Sequence, residues 1–255
     1  MAESLVFNMD CMDGMRQFPD GFFDLAVVDP PYGGGACSQS GNVERERERE
    51  LHGGAANFEQ RSRSRFGGWF DRYHISEPGG RGLGCENKKT TKGADIRHWD
   101  VAPPKEYFNE LARVSKNQII WGGNYFDLPP TRCFLIWRKL QIPLEGFSMS
   151  PVEYAWTSFN DNAAMWEGYS NAQTGAERRI HPTQKPVALY RWIFQHYAKP
   201  GFKILDTHLG SGSSRIAAYD ADLDFWGYEL DKVYFDLMQA RFDKHAAQMN
   251  LFLDA

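Results

Sequence analysis

The sequence predicts an α/β domain built on a mostly parallel sheet. Three observations predict it. Strand-like and helix-like stretches alternate along most of the chain. The run Asp24 to Val28 is continuously apolar after its first residue, the pattern of a strand buried on both faces. At 255 residues with 42% hydrophobic, 24% charged and 15% aromatic side chains, the chain is long enough to bury one large core.

The elements follow in order. Ser4 to Asn8 reads as a short strand and Asp13 to Phe18 as a small helix, closed by the turn signal Pro19-Asp20-Gly21. The buried strand from Asp24 ends in Asp29-Pro30-Pro31-Tyr32 and then glycines. From residue 33 to about 98 the composition changes to Gly, Ser and Arg with little apolar periodicity, too long for an ordinary loop. Inside it, Val43 to Leu51 alternates acid and base and reads as a solvated helix with i,i+4 pairs. A helix is expected over Pro104 to Val114, with proline near its start. Strands are expected at Gln118 to Trp121, Cys133 to Trp137 and Val152 to Thr157, the last two as an antiparallel pair. Asn160 to Ile180 reads as a loop, Val187 to Tyr197 as a helix, and Lys203 to Asp206 as a strand. A glycine-serine turn over Leu209 to Ser214 leads into a helix. Asp224 to Glu229 is then a strand and Asp231 to His245 a helix with apolar Tyr234, Leu237, Met238 and Phe242.

Composition excludes some classes. No apolar run approaches the eighteen or so residues of a membrane span. The start, MAESLVFNMD, lacks a basic segment and a long apolar one, so no secretory signal is expected. Cys11, Cys37, Cys85 and Cys133 contain no Cys-x-x-Cys pair, which argues against a disulfide framework or a zinc cluster and fits a reducing cytoplasm. A formal charge of −4 excludes binding to nucleic acid through net charge, although a local basic face stays open.

Four acids stand at four strand ends: Asp10 past the first, Asp29 at the second, Asp206 before the glycine turn, and Glu229 at the strand after it. In open α/β sheets ligands bind beyond the carboxyl ends of the strands, so four acids there would make an anionic cleft. Each acid taken singly is also a good helix cap or turn residue. The turn Gly210-Ser211-Gly212-Ser213-Ser214 lets a ligand approach the backbone and the free N–H groups of the next helix. Glu229, 17 residues beyond Gly212, stands where a carboxylate receives ribose hydroxyls. An adenosine-containing cofactor follows; which one does not. Asp29-Pro30-Pro31-Tyr32 adds a carboxylate, a rigid carbonyl and an aromatic face. Those are what a flipped-out base with an exocyclic amine requires.

On Asp29-Pro-Pro-Tyr32, His181-Pro-Thr-Gln-Lys-Pro186 and Asp206-Thr-His-Leu-Gly-Ser-Gly-Ser213, the chain resembles the amino-directed DNA methyltransferases that use S-adenosylmethionine. The order of these elements is similar to the circularly permuted group called the beta class, above all its short phage and prophage members. IIWGGNYFDLPP and Glu153-Tyr-Ala-Trp156 fit as well. Where the family commonly carries Asp-Pro-Phe or Asp-Pro-Cys, this chain has Asp206-Thr207-His208-Leu209.

The resemblance implies a Rossmann-like S-adenosylmethionine-dependent methyltransferase fold, a mostly parallel sheet with an antiparallel hairpin, circularly permuted, as one domain over 1–255. It implies methyl transfer to the N6 amine of adenine in DNA. N4 of cytosine is the nearest alternative, with a catalytically silent DNA-binding subunit and a nicotinamide dehydrogenase further off. Asp29, Pro30, Pro31 and Tyr32 would be catalytic. Asp10 with Cys11, Asp29, Thr183, Lys185, Asp206, His208, Gly210, Ser211, Gly212, Ser213 and Glu229 would surround the cofactor: Asp10 at adenine, Glu229 at ribose, Asp206 and the turn at the methionine end, Thr183 and Lys185 near its carboxylate. No metal is expected, His208 lacking partners at ligand spacing.

DNA is the expected partner, with no membrane, and a homodimer is compatible with the reading. The compartment implied is the cytoplasm of a bacterial or phage-infected cell. The gap before His181 is short, so the insert over 36–98 is the candidate for DNA recognition. Residues 61–92 hold eight basic side chains against three acids. Arg61, Arg63, Arg65, Lys88 and Lys89 beside Phe66, Trp69, Phe70 and Tyr73 suit phosphate contact and base wedging; a solvated loop is the alternative.

Overall fold

A computed structural model of the protein describes residues 2–33, 101–145, 150–170 and 179–253, with backbone alone over 249–253. The candidate recognition residues Arg61, Arg63, Arg65, Lys88 and Lys89, and the expected helix over 43–51, lie outside the described residues.

Among the described residues eight strands form one sheet: β1 (Ser4–Phe7), β2 (Leu25–Val28), β3 (Gln118–Trp121), β4 (Phe134–Lys139), β5 (Val152–Thr157), β6 (Ala164–Gly168), β7 (Lys203–Asp206) and β8 (Asp224–Tyr228). Their spatial order is β1-β8-β7-β2-β3-β5-β4-β6. The first five in that order are mutually parallel, β5 runs against β3 and β4, and β6 returns parallel to β4. The expected antiparallel pair is therefore β4 and β5. One expectation fails: the stretch read as a loop from Asn160 contains β6. Its Ala164-Met-Trp-Glu-Gly168 alternates half-buried with exposed residues, an edge strand that covers Trp137 with Trp166 at 6.3 Å.

The helices are α1 (Cys11–Met15), α2 (Lys105–Val114), α3 (Val187–Tyr197), α4 (Ser213–Asp220) and α5 (Lys232–Leu253). Central strand β2 is fully buried along Leu25-Ala-Val-Val28 because helices cover both faces of the sheet. Leu25 and Val27 pack with Ile119, Trp121 and the apolar faces of α3, α4 and α5. Ala26 and Val28 face the other way, onto Met15, Tyr107, Leu111 and Val114 of α1 and α2. Period-two alternation along one strand thus supplies two cores. Local chemistry sets the helix starts. Pro104 and Pro186 precede α2 and α3, and the Asp231 carboxylate accepts from the N–H groups of Val233 and Tyr234 at the head of α5.

Candidate active site

The parallel segment β1-β8-β7-β2 brings four carboxyl ends to one edge. Asp10 follows β1, Glu229 follows β8, Asp206 ends β7 and Asp29 follows β2. The acids therefore stand in the order Asp10, Glu229, Asp206, Asp29, across three strand spacings or roughly 14 Å. A cavity of about 770 Å³ opens over this edge, lined by Asp10, Cys11, Asp29, Pro30, Pro31 and Tyr32. Thr183, Lys185, His208, Gly210, Ser211, Ser213 and Glu229 complete its candidate residues. Asp206 and Gly212 do not line it.

Each acid has a distinct setting. Asp10 caps α1, one oxygen accepting the Met12 N–H at 2.7 Å, and is exposed at the cavity. Glu229 is pinned by two backbone N–H groups, Gly210 at 2.8 Å and Asp231 at 2.9 Å. Burial nevertheless raises its pKa. Asp206 is 2% exposed and works inward: it accepts from the Ser214 hydroxyl and from the His208 N–H at 3.0 Å. Burial pushes its carboxyl up to about 7, against those two hydrogen bonds.

The glycine turn is held from behind. Gly212 has φ +70°, and a Cβ there would stand 2.4 Å from the Met238 side chain of α5, so glycine closes the turn without backbone strain or displacing that side chain. The buried Arg241 guanidinium donates to the Ser211 carbonyl at 2.7 Å and the Ser213 hydroxyl at 3.0 Å. Ser213 donates in turn to the Lys185 carbonyl at 2.7 Å, tying the turn to the His181–Pro186 segment.

At the other end, Asp29 has both oxygens engaged: Tyr32 Oη donates to Oδ1 at 2.8 Å and Lys185 Nζ to Oδ2. Lys185 is 4% exposed, also lies 3.2 Å from Glu153 Oε2, and sits 5.2 Å above the Trp121 ring. Glu153 holds Lys139 at 2.6 Å with its other oxygen. Two carboxylates and two ammoniums thus form a half-enclosed chain. Burial raises the Asp29 pKa against the pull of Lys185. For Glu153 the two lysines outweigh burial, and its pKa falls. The Lys185 pKa rises, because its two carboxylates outweigh its own burial.

Tyr32 stacks on the exposed Tyr125 at 4.8 Å and 18°, with Phe126 at its edge. Gly122 makes room: its φ is +69° and a Cβ would lie 2.1 Å from the Tyr32 ring.

Thr183 is exposed, with its hydroxyl 3.1 Å from His181 Nδ1. Sequence reasoning assigned no role to Glu153, Lys139, Tyr107, Thr207 or Tyr125. For Glu153 the signal is the one charge inside the strand VEYAWT; Lys139 ends FLIWRK next to Arg138 and carries no such signal. Tyr107 looks like an ordinary core position on α2; only the fold places its hydroxyl beside Thr207.

The parallel sheet, its acid-lined edge and the glycine turn define an α/β domain of the DNA methyltransferase fold. PvuII DNA methyltransferase (cytosine-N4-specific) superposes with a TM-score of 0.54 at 11% identity, covering 99% of this chain and 94% of that one. TTHA0409 of Thermus thermophilus, a putative DNA modification methylase by description and complexed with S-adenosyl-L-methionine, gives 0.50 at 16%, covering 95% of both chains. The family model described as DNA methylase (N6_N4_Mtase) matches residues 86–240, and the chain belongs to that family. The Bacillus subtilis type II methyltransferase M.BglII is 22% identical over 91% of this chain and 67% of its own length. M.HpaI of Haemophilus parainfluenzae is 29% identical over 31% of this chain and 25% of its own. Among the described residues no helix is long and apolar enough to cross a membrane, and no group of His, Cys, Asp and Glu could hold a metal.

Proposed function

We propose that this chain transfers a methyl group from S-adenosylmethionine to the exocyclic N6 amine of adenine in DNA, acting on a flipped-out base. The observation that carries the reading is one cavity lined at one end by Glu229 and the Gly210–Ser213 turn and at the other by Asp29, Pro30 and Tyr32. The residues present fit the cofactor. Carboxylates suit a sulfonium cation, Glu229 is oriented by two N–H groups yet keeps lone pairs for hydroxyl donors, and Asp10 has an oxygen without a partner among the described residues. When bound, the cofactor supplies an electrophilic methyl group.

The rest belongs to the protein. The exocyclic amine is a poor nucleophile because its lone pair is delocalised into the ring. Asp29 and the Pro30 carbonyl accept its two hydrogens and aim the lone pair, so positioning and electrostatics carry the rate without a covalent enzyme intermediate. Tyr32 stacks on the base. Lys185 works through Asp29 in this reading: its ammonium, bonded to the carboxylate, favours the ionised, accepting form against burial. Thr183 stands at the rim toward the cofactor's carboxylate, and Asp206 acts through the turn it braces.

The insert over 36–98 contacts DNA, Arg61, Arg63, Arg65, Lys88 and Lys89 meeting phosphates. The chain is read as circularly permuted: from Lys203 onward and then from Ser4, strand and helix alternate as one continuous series, and β1 lies beside β8. The reading implies a bacterial or phage-infected cytoplasm. Incubating duplex DNA with the protein and S-adenosylmethionine, then digesting to nucleosides for mass spectrometry, tests it. N6-methyladenine is the expected product. N4-methylcytosine would move the target to the alternative base, and no methylated nucleoside would end the proposal.

A further inference from the structure

In the cavity wall three side chains form a hydrogen-bonded row. Tyr107 Oη is 2.6 Å from Thr207 Oγ1, and Thr207 Oγ1 is 2.9 Å from His208 Nδ1. Tyr107 and Thr207 are 2% and 3% exposed, so the bonds lie in a low-dielectric setting where an unmade one is costly. Among the described residues Thr207 Oγ1 is the one acceptor within reach of the Tyr107 hydroxyl. If the row ran the other way, from His208 to Thr207 to Tyr107, the phenol hydrogen would be buried with no acceptor. The hydrogen therefore goes to Thr207; the Thr207 hydrogen then has one acceptor in reach among the described residues, His208 Nδ1, and an Nδ1–H tautomer would leave it buried with none.

This order fixes the imidazole. With Nδ1 accepting, a neutral ring carries its hydrogen on Nε2. Burial lowers the His208 pKa to about 4, so the ring is neutral at pH 7. The Tyr107 ring meets His208 edge-on at 5.5 Å and 72°, which holds its plane. Nε2 has no partner among the described residues, and His208 lines the cavity just past β7, the strand that neighbours β8 and Glu229.

We infer that Tyr107 and Thr207 are positioning residues that lock His208 as an Nε2–H donor toward a hydrogen-bond acceptor on the nucleoside portion of the bound cofactor. The inference rests on the methyltransferase reading for its ligand and on the row of hydrogen bonds for its tautomer. A donor at this point favours a ligand that presents a ring nitrogen or ribose oxygen.

Two measurements test the inference separately. Nitrogen-15 NMR of the His208 ring in the ligand-free wild-type protein should show a protonated-type Nε2 and a pyridine-type Nδ1; the opposite assignment overturns the lock. Thr207→Val should change the Nδ1 shift, and Thr207→Ser should preserve it. Calorimetry with S-adenosylhomocysteine gives the second test. His208→Gln, whose amide nitrogen reaches the Nε2 position, should bind within about twofold of wild type, while His208→Asn should bind about fivefold to tenfold more weakly. Equal affinities for the two variants overturn the donor role. Failure of the wild-type protein to bind S-adenosylhomocysteine overturns the cofactor reading itself, and the NMR result tells that outcome apart from a wrong tautomer.

Discussion

Lys185 bridges Asp29 and Glu153: one buried ammonium is bonded to the first carboxylate and lies 3.2 Å from the second. Glu153 therefore helps set the charge at the far end of the site although it does not belong to the Asp-Pro-Pro-Tyr element. Glu153→Gln leaves Lys185 with one carboxylate and Lys139 with none of its own. Urea unfolding should show a loss of about 1–3 kcal/mol, and Glu153→Gln/Lys139→Met should recover part of it.

Asp29→Ala removes the acceptor without opening the core, since Lys185 keeps Glu153. Methyl incorporation under single-turnover conditions should fall at least about a hundredfold with the circular dichroism spectrum unchanged. Near-normal turnover would remove Asp29 from its assigned role.

Gly122→Ala sets a methyl group 2.1 Å from the Tyr32 ring at a backbone φ of +69°. Tyr32 has to shift off Tyr125. The expected result is a fall in kcat/KM for DNA of about tenfold or more with S-adenosylhomocysteine affinity retained, because the turn at Gly210–Ser213 is untouched.

His181 and His208 should each contribute stability that rises with pH between about 4 and about 6.5. Burial lowers His181 and His208 to about 4, so in that window the unfolded chain binds protons that the fold does not. Asp206 opposes them: raised to about 7 by burial, its folded form holds a proton that the unfolded chain has released, and its contribution is lost as pH climbs from about 4 through 7. Thermal melts across this range should show a shallower acid decline for His208→Gln. Asp206→Asn should show a steeper rise over the same range.

Charge reversal at Arg61, Arg63 and Arg65 should weaken DNA binding and flatten its dependence on salt, each lost phosphate contact reducing the slope by about one. An unchanged slope would take this segment out of the contact.

Most of the strands were legible because their signals are local. Gln118–Trp121, Val152–Thr157 and Lys203–Asp206 are short apolar or alternating runs, and the structure begins and ends them at the same residues. Strand β6 was not legible: Ala-Met-Trp-Glu-Gly has weak periodicity and owes its conformation to pairing with Leu135–Lys139. The acids were legible as a set because each ends a strand, and parallel order then collects them. What each does was not. Asp206 turns inward to Ser214, and Lys185 meets Glu153, 32 positions earlier in the sequence, because sheet pairing and α3 packing bring them together. The hydrogen-bond row at Tyr107 depends on an α2 residue lying beside one after β7, a distance of 100 positions along the chain.

Among the described residues strand β1 lies at the edge of the sheet, with β8 as its one neighbour. The N–H groups of Ala2 and Glu3 reach Asp222 and Asp224, 220 and 221 positions away. During synthesis Ser4–Phe7 emerges early and has no template until Asp224–Tyr228 has been made. The carboxylate just past β1 takes its place beside Glu229 only after that docking, so this end of the cavity cannot close until some 220 further residues have been made.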